Sequence, residues 1–201
     1  MFTSRSLAMA AVAVVAFCGT AAAQAPRWPD GFHRAMMARY TLIDAPNPAD
    51  IDGYGAIRLG AIELAVGKTL LPELAIKLGG QVRKADAGFD QFNEICYVLE
   101  TGSVLWLLSE SSSEGRFNAL AVEHGPALEA WQCAQTDRAL SIDLPGLGAS
   151  ASQVRNIFGE DDGSGDGMIF YDDDSAPLYR AVTYAVEDDT VVAYALLEIA
   201  D

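Results

Sequence analysis

The chain has 201 residues, a formal net charge of −15 at pH 7 and three cysteines. This charge argues against nucleic acid and anionic membrane surfaces as partners, because both would repel the chain. It is compatible with calcium or with another protein that has a basic rim as a partner, and solubility alone also explains an acidic composition.

The first 23 residues are organised as a secretory signal peptide. Arg5 precedes the apolar run from Leu7 to Phe17, and small residues ending at Ala23 follow that run. A positive charge, an apolar run and small residues, in this order, are typical of a cleavable export signal. The apolar run is too short for a retained membrane anchor. We therefore predict an exported protein, periplasmic or secreted after cleavage near Ala23, with lipidation of Cys18 as an alternative.

The two cysteines after this segment are Cys96 and Cys133. In an oxidising compartment an isolated pair is typical of a disulfide. Neither cysteine has a histidine or a basic cluster beside it in the sequence, as a reactive thiolate would need. The sequence therefore predicts a structural Cys96–Cys133 bond.

The pattern of strands, helices and glycines divides the chain into four segments. These are a signal peptide (1–23), an N-terminal segment with a short helix at 31–40 and a loop (24–55), and two repeats (56–138 and 139–201). In each repeat a strand leads into a short helix, and three strand-like runs follow the glycine that ends the helix. We predict an α+β fold of two tandem repeats, each a short helix packed on an antiparallel β-meander.

The two predicted helices share a pattern: a glycine, a small polar N-cap, an apolar position and a closing glycine. The residues in these places are Gly67, Thr69, Leu74 and Gly79 in the first helix, and Gly148, Ser150, Val154 and Gly159 in the second. The segment 147–160 resembles the helix signature of the SmpA/OmlA superfamily, which includes the small lipoprotein of the outer-membrane β-barrel assembly machine. It also looks like the tandem-repeat β-lactamase inhibitor proteins.

The resemblance implies a binding module and not an enzyme. On this basis we expect an exported protein-binding module, such as an inhibitor or an immunity-like protein, that occludes its partner through a sheet face. A structural role in envelope assembly is the alternative that the same superfamily suggests.

An acidic stretch after the second helix has the spacing of a calcium loop. Asp162, Ser164, Asp166 and Asp173 are placed as oxygen ligands, with Gly167 at the sharp turn. A strand and not a second helix is predicted after the loop, so an acidic connection without a metal is the other interpretation. Calcium is the one cofactor that the sequence suggests.

Catalytic chemistry has few candidates in this chain. Its two histidines are His33 and His124, and it has no G-x-S-x-G motif. An isolated pair of carboxylates is uninformative among 28 acidic residues. We therefore predict no catalytic residues and no enzyme activity, and an unrecognised hydrolase is the alternative.

Aromatic residues lie on strands whose two faces are both apolar. Trp106, Tyr184 and Tyr194 are candidates for contact with a partner protein if one face of the sheet is left open. If the repeats cover each other, the same side chains fill the core. The sequence leaves both interpretations open.

Overall fold

The computed structural model describes residues 28, 31–40, 47–49, 51, 53–87, 90–110, 113–124, 131–161, 167–173 and 178–200. The predicted signal peptide and Cys18 lie outside these residues, so the export signal stays a prediction. No helix in the described ranges has the length and apolar character needed to cross a bilayer.

The described part of the chain contains three helices and twelve strands. The helices are α1 (Phe32–Tyr40), α2 (Leu71–Leu78) and α3 (Ala151–Phe158). The strands before α3 are β1 (Asn47–Pro48), β2 (Arg58–Leu59), β3 (Ile62–Glu63), β4 (Arg83–Ala87), β5 (Asp90–Val98), β6 (Val104–Glu110), β7 (Ala119–Glu123), β8 (Ala134–Gln135) and β9 (Leu140–Ser141). The strands after α3 are β10 (Met168–Asp173), β11 (Leu178–Glu187) and β12 (Thr190–Ala200).

One large sheet organises the molecule, and most of its strands are antiparallel. Its order is β1-β10-β11-β12-β7-β6-β5-β4, and β8 also pairs with β5. The pairs β1–β10 and β5–β8 are parallel. A second sheet has the order β3-β2-β9. The predicted mixed class with antiparallel sheets is therefore confirmed at this level.

The central pair of the large sheet joins two distant parts of the chain. Strand β7 lies in residues 56–138, the first half, and β12 lies in residues 139–201, the second half. The two strands are antiparallel, and Ala121 faces Ala195 in the middle of their ladder. The sheet is therefore continuous across the two halves.

Both faces of the large sheet carry a buried core, because successive side chains on a strand point to opposite faces. On one face, Leu105 and Leu107 of β6 pack in a cluster that includes Leu74 of α2 and Val154 of α3. On the other face, Trp106 packs in a cluster that includes Phe32, Met36 and Met37 of α1. The described helices thus cover the sheet from both sides.

The two short helices begin differently. Ser150 caps α3 as predicted: its Oγ accepts a hydrogen bond from Gln153 N at 3.2 Å, and Gln153 Oε1 accepts one from Ser150 N at 2.8 Å. The predicted cap Thr69 is wrong, because α2 has Leu70 at its N-cap and no side-chain cap. Thr69 Oγ1 instead accepts a hydrogen bond from Ala65 N at 2.8 Å within the preceding turn.

Two strand predictions need correction. The strand that leads into the first helix, which the apolar alternation from Ile57 to Leu64 predicts, is split into β2 and β3 by a turn at Gly60, which has a φ of 59°. Strand β4 was not predicted, because its sequence RKADA has none of the β-branched or aromatic residues that favour strands.

The predicted disulfide is confirmed. Cys96 on β5 is bonded to Cys133, and their Cα atoms are 4.9 Å apart. The bond holds the segment before β8 against β5, where Ala134 pairs with Tyr97. This covalent link closes a loop of 37 residues.

We expect the double variant Cys96→Ala/Cys133→Ala to lose about 4 kcal/mol of unfolding free energy, because the unfolded chain regains the entropy of an open loop. The measurement is urea denaturation followed by tryptophan fluorescence. The reduced wild-type protein serves as the matched comparison and should lose a similar amount. A double variant as stable as the oxidised wild type would contradict this account.

The capping box of α3 gives a second stability prediction. Ser150→Ala should lower the free energy of unfolding by about 1 kcal/mol, because the N–H of Gln153 loses its acceptor. Ser141→Ala, an exposed serine on β9, is the control and should leave the same urea transition unchanged. Equal effects of the two substitutions would argue against a capping role.

Candidate functional site

A cavity of about 390 Å³ lies where the two halves of the chain meet, and we call it the central cleft. Its floor includes Val122 of β7 and Tyr194 of β12, which are cross-strand partners in the central ladder. Leu140 of β9 and Leu147 add apolar surface from the second half. A cavity of this size is within the range of small ligand pockets, and such pockets often form between structural units.

One wall of the central cleft is the turn between β5 and β6. Gly102 N donates a hydrogen bond to Leu99 O, and Leu99 N donates one to Ser103 O, both at 2.9 Å. The hydroxyl oxygens of Thr101 and Ser103 lie 2.7 Å apart. These bonds hold the turn in one conformation and place Glu100 between the bonded positions.

Another part of the lining is the segment 146–148, which leads into α3. Gly148 N donates a hydrogen bond to Val191 O at 2.9 Å, and Ala149 N donates one to Gly146 O at 3.1 Å. Gly148 has a φ of 84°, a conformation that favours glycine. This segment is therefore tied to β12 by its backbone.

Two ionisable side chains lie at the mouth of the central cleft. Glu100 and His124 are both exposed and both line the cavity. Among the described residues Glu100 has no ion-pair or hydrogen-bond partner, so its carboxylate is available to a ligand. The cleft thus combines an apolar floor with an unpaired negative charge.

The structure places the three predicted partner-contact aromatics inside the protein. Trp106 is 2 % exposed, Tyr184 is 0 % exposed and Tyr194 is 4 % exposed. The interpretation in which Trp106 and Tyr184 lie on an open sheet face is therefore wrong. Both sides of the sheet are covered, and these side chains fill the core. Tyr194 alone borders the central cleft, and burial raises the pKa of its hydroxyl above the ordinary value.

A buried group of charged residues lies on the opposite face of the sheet, beneath α1. His33 stacks on Trp106 with the ring centroids 3.6 Å apart and the planes at 14°. Its Nδ1 is 3.1 Å from Glu123 Oε1, and its Nε2 is 3.3 Å from Glu94 Oε2. Glu123 also accepts a hydrogen bond from Phe32 N at 2.8 Å, which attaches the first turn of α1 to β7.

Glu94 is the centre of this buried group. Its Oε1 is 3.1 Å from Arg34 Nη2 and 3.5 Å from Arg83 Nη2, and the side chain is 1 % exposed. Burial by itself raises the pKa of Glu94, but the contact with His33 and the charges of His33 and Arg34 outweigh burial and lower the pKa below its ordinary value. Arg83 also donates a hydrogen bond to Trp131 O, next to the disulfide segment. The group therefore fastens α1 and residues 131–135 to the sheet.

Sequence reasoning missed this buried group. It placed His33 on a short N-terminal helix, which is confirmed, but nothing in the sequence linked His33 to Glu94 and Glu123, which are 61 and 90 residues away. Nothing in the sequence indicated that the turn at Thr101 lines a cavity. Only three-dimensional pairing brings these residues together.

The calcium-loop prediction falls mainly outside the described residues, which contain only Asp173 of its four ligands. Asp173 is 6 % exposed, and its Oδ2 accepts a hydrogen bond from Ile51 N at 3.3 Å. Within the described ranges, no three His, Cys, Asp or Glu side chains converge in a way that would hold a metal ion. The calcium loop stays a prediction.

Of the two groupings, the central cleft is the one that a partner can reach, because the buried group at Glu94 and His33 is closed to solvent. The cleft therefore is the candidate functional site. Comparison of the chain with protein-family models, with curated proteins and with solved structures gives no match.

The buried group predicts a stability change with a defined pH dependence. Glu94→Gln should lower the free energy of unfolding by roughly 3 kcal/mol at about pH 7, because Arg34 and Arg83 lose a buried carboxylate. The pKa of Glu94 is lower in the folded than in the unfolded protein. Its contribution is therefore complete above the unfolded pKa and is lost as the pH falls through the folded pKa.

The measurement is urea denaturation of wild type and variant at a series of pH values. The difference between them should shrink on acidification below the ordinary carboxyl range. Glu160→Gln, in which the replaced carboxylate is 91 % exposed, is the control and should show no comparable difference. A difference that grows on acidification would contradict the assigned sign.

Proposed function

We propose that the protein is an exported binding module that receives a segment of another protein in the central cleft. The observation that carries this proposal is the cleft itself, a cavity of about 390 Å³ with an apolar floor and, at its mouth, the carboxylate of Glu100, which has no partner within the described ranges. Export follows from the predicted signal peptide, residues 1–23. No catalytic residue is assigned.

We also propose that the two halves are tandem repeats. Three pairs of matching contacts support this. Tyr97 Oη donates to the carbonyl of the glycine after α2 at 3.2 Å, and Tyr171 Oη donates to the glycine after α3 at 2.8 Å. The carbonyl of Thr69, two residues before α2, accepts a hydrogen bond from Phe117 N at 2.8 Å. The carbonyl of Ala149, two residues before α3, accepts one from Val191 N at the same distance. Leu71 N, at the start of α2, donates a hydrogen bond to Gly115 O at 3.0 Å, and Ala151 N, at the start of α3, donates one to Asp189 O at 3.1 Å.

The tandem arrangement gives the central cleft its position. Half of its lining comes from residues 56–138 and half from residues 139–201. A ligand there would contact both repeats at once. The module would then occlude its partner protein at the junction of the repeats and not through the face of the sheet, because the aromatic side chains of that face are buried.

Two alternatives from the sequence depend on residues outside the described part. An envelope assembly role requires lipid on Cys18, and a calcium module requires Asp162, Ser164 and Asp166. No observation on the described residues favours either of them over the cleft.

The proposal is tested with displayed random peptides selected on the immobilised protein. Ala139→Trp fills the central cleft from an exposed position in its lining. Ala56→Trp makes the same change at an exposed position that does not line the cleft. We expect the selected peptides to bind Ala139→Trp at least about tenfold more weakly than wild type, a loss of about 1.4 kcal/mol, and to bind Ala56→Trp unchanged.

Melting curves of both variants establish that each is folded. Selected peptides that bind Ala139→Trp as tightly as wild type would show that the central cleft is not the binding site. A selection that enriches no peptide at all would contradict a peptide-binding function.

A further inference from the structure

We propose that the central cleft recognises a lysine or arginine side chain of the partner segment. This inference rests on the proposed function and specifies its ligand. The ligand is a cation carried on an apolar stem. The floor of the cleft offers an apolar surface for the stem, and its mouth offers a carboxylate for the cation.

The floor of the cleft suits the stem. Val122 is 2 % exposed and Tyr194 is 4 % exposed, so closely packed side chains form the floor of the cavity. Leu140 and Leu147 are half-buried and extend this surface toward solvent. Lysine and arginine lay their methylene groups along such surfaces while their charged ends remain near water.

The mouth of the cleft suits the charged end. Glu100 is exposed, borders the cavity and has no partner among the described residues. The exposed hydroxyl of Thr101 lies on the same turn, 2.7 Å from that of the buried Ser103, and can accept a hydrogen bond from an ammonium or guanidinium group. The backbone bonds of that turn fix its conformation before a ligand arrives, so the turn itself needs little ordering on binding.

The charge of the whole chain favours the same class of ligand. A net charge of −15 raises the local concentration of cations at the protein surface and lowers that of anions. A carboxylate or phosphate would meet both this field and Glu100. His124 is a further ionisable side chain in the lining, beside Glu100 and the buried Tyr194, and it is exposed at the edge of the cleft. A cationic side chain is therefore the complementary ligand.

The test uses three capped amino acids as probes: Nα-acetyl-arginine methylamide, Nα-acetyl-lysine methylamide and Nα-acetyl-citrulline methylamide. Citrulline has nearly the shape of arginine without its charge. Each probe is titrated into the isotope-labelled protein, and the amide resonances of Thr101 and Gly148, which both line the cleft, report on binding. We expect saturable shifts with the arginine and lysine probes, and an affinity for arginine about fivefold above that for citrulline, the effect of one partly exposed ion pair.

Glu100→Gln should abolish the preference for arginine over citrulline, and Glu160→Gln should retain it. Equal affinity for arginine and citrulline in the wild type would overturn the cationic specificity while leaving the cleft as a binding site. Shifts that occur away from Thr101 and Gly148, or an absence of shifts with all three probes, would also overturn it. The failure of the proposed function is recognised separately, when displayed peptides bind Ala139→Trp and wild type equally.

Discussion

The pairing of β7 with β12 is the constraint on which the rest of the molecule depends. These strands come from opposite halves of the chain, and their ladder makes one sheet of what would otherwise be two. The side chains of Val122 and Tyr194 meet across this ladder and become the floor of the central cleft. The candidate site is thus a product of the joint between the halves, and neither half contains it alone.

The two faces of the sheet are stabilised by different physical means. On the face of α2 and α3 the buried cluster is largely apolar, with tyrosines whose hydroxyls reach backbone carbonyls at the helix ends. On the face of α1 the packing includes Glu94, His33 and two arginines. Removing one member of such a group leaves a buried charge without compensation, so the group specifies where α1 lies as well as contributing to stability.

Local features were predictable from the sequence, whereas pairing across long separations was not. The cap at Ser150, the glycines after the helices and the alternation in β6 depend on neighbours a few residues away, and the structure confirms them. Thr69 failed as a cap because its hydroxyl is bonded within the preceding turn. Strand β4 is held by pairing with β5 and not by its own propensity, so no local pattern indicated it. Of the candidate site, Tyr194 was singled out, but its juxtaposition with Glu100 arises only from the order of strands in the sheet.

The ends of the large sheet bear on how the protein avoids association with copies of itself. A terminal strand exposes N–H and C=O groups that can template pairing with another chain. At one end, β1 is only two residues long and includes Pro48, which has no N–H to donate. At the other end, β4 presents the exposed charges of Lys84 and Asp86. Proline at one margin and alternating charge at the other oppose edge-to-edge strand pairing from either end of the described sheet.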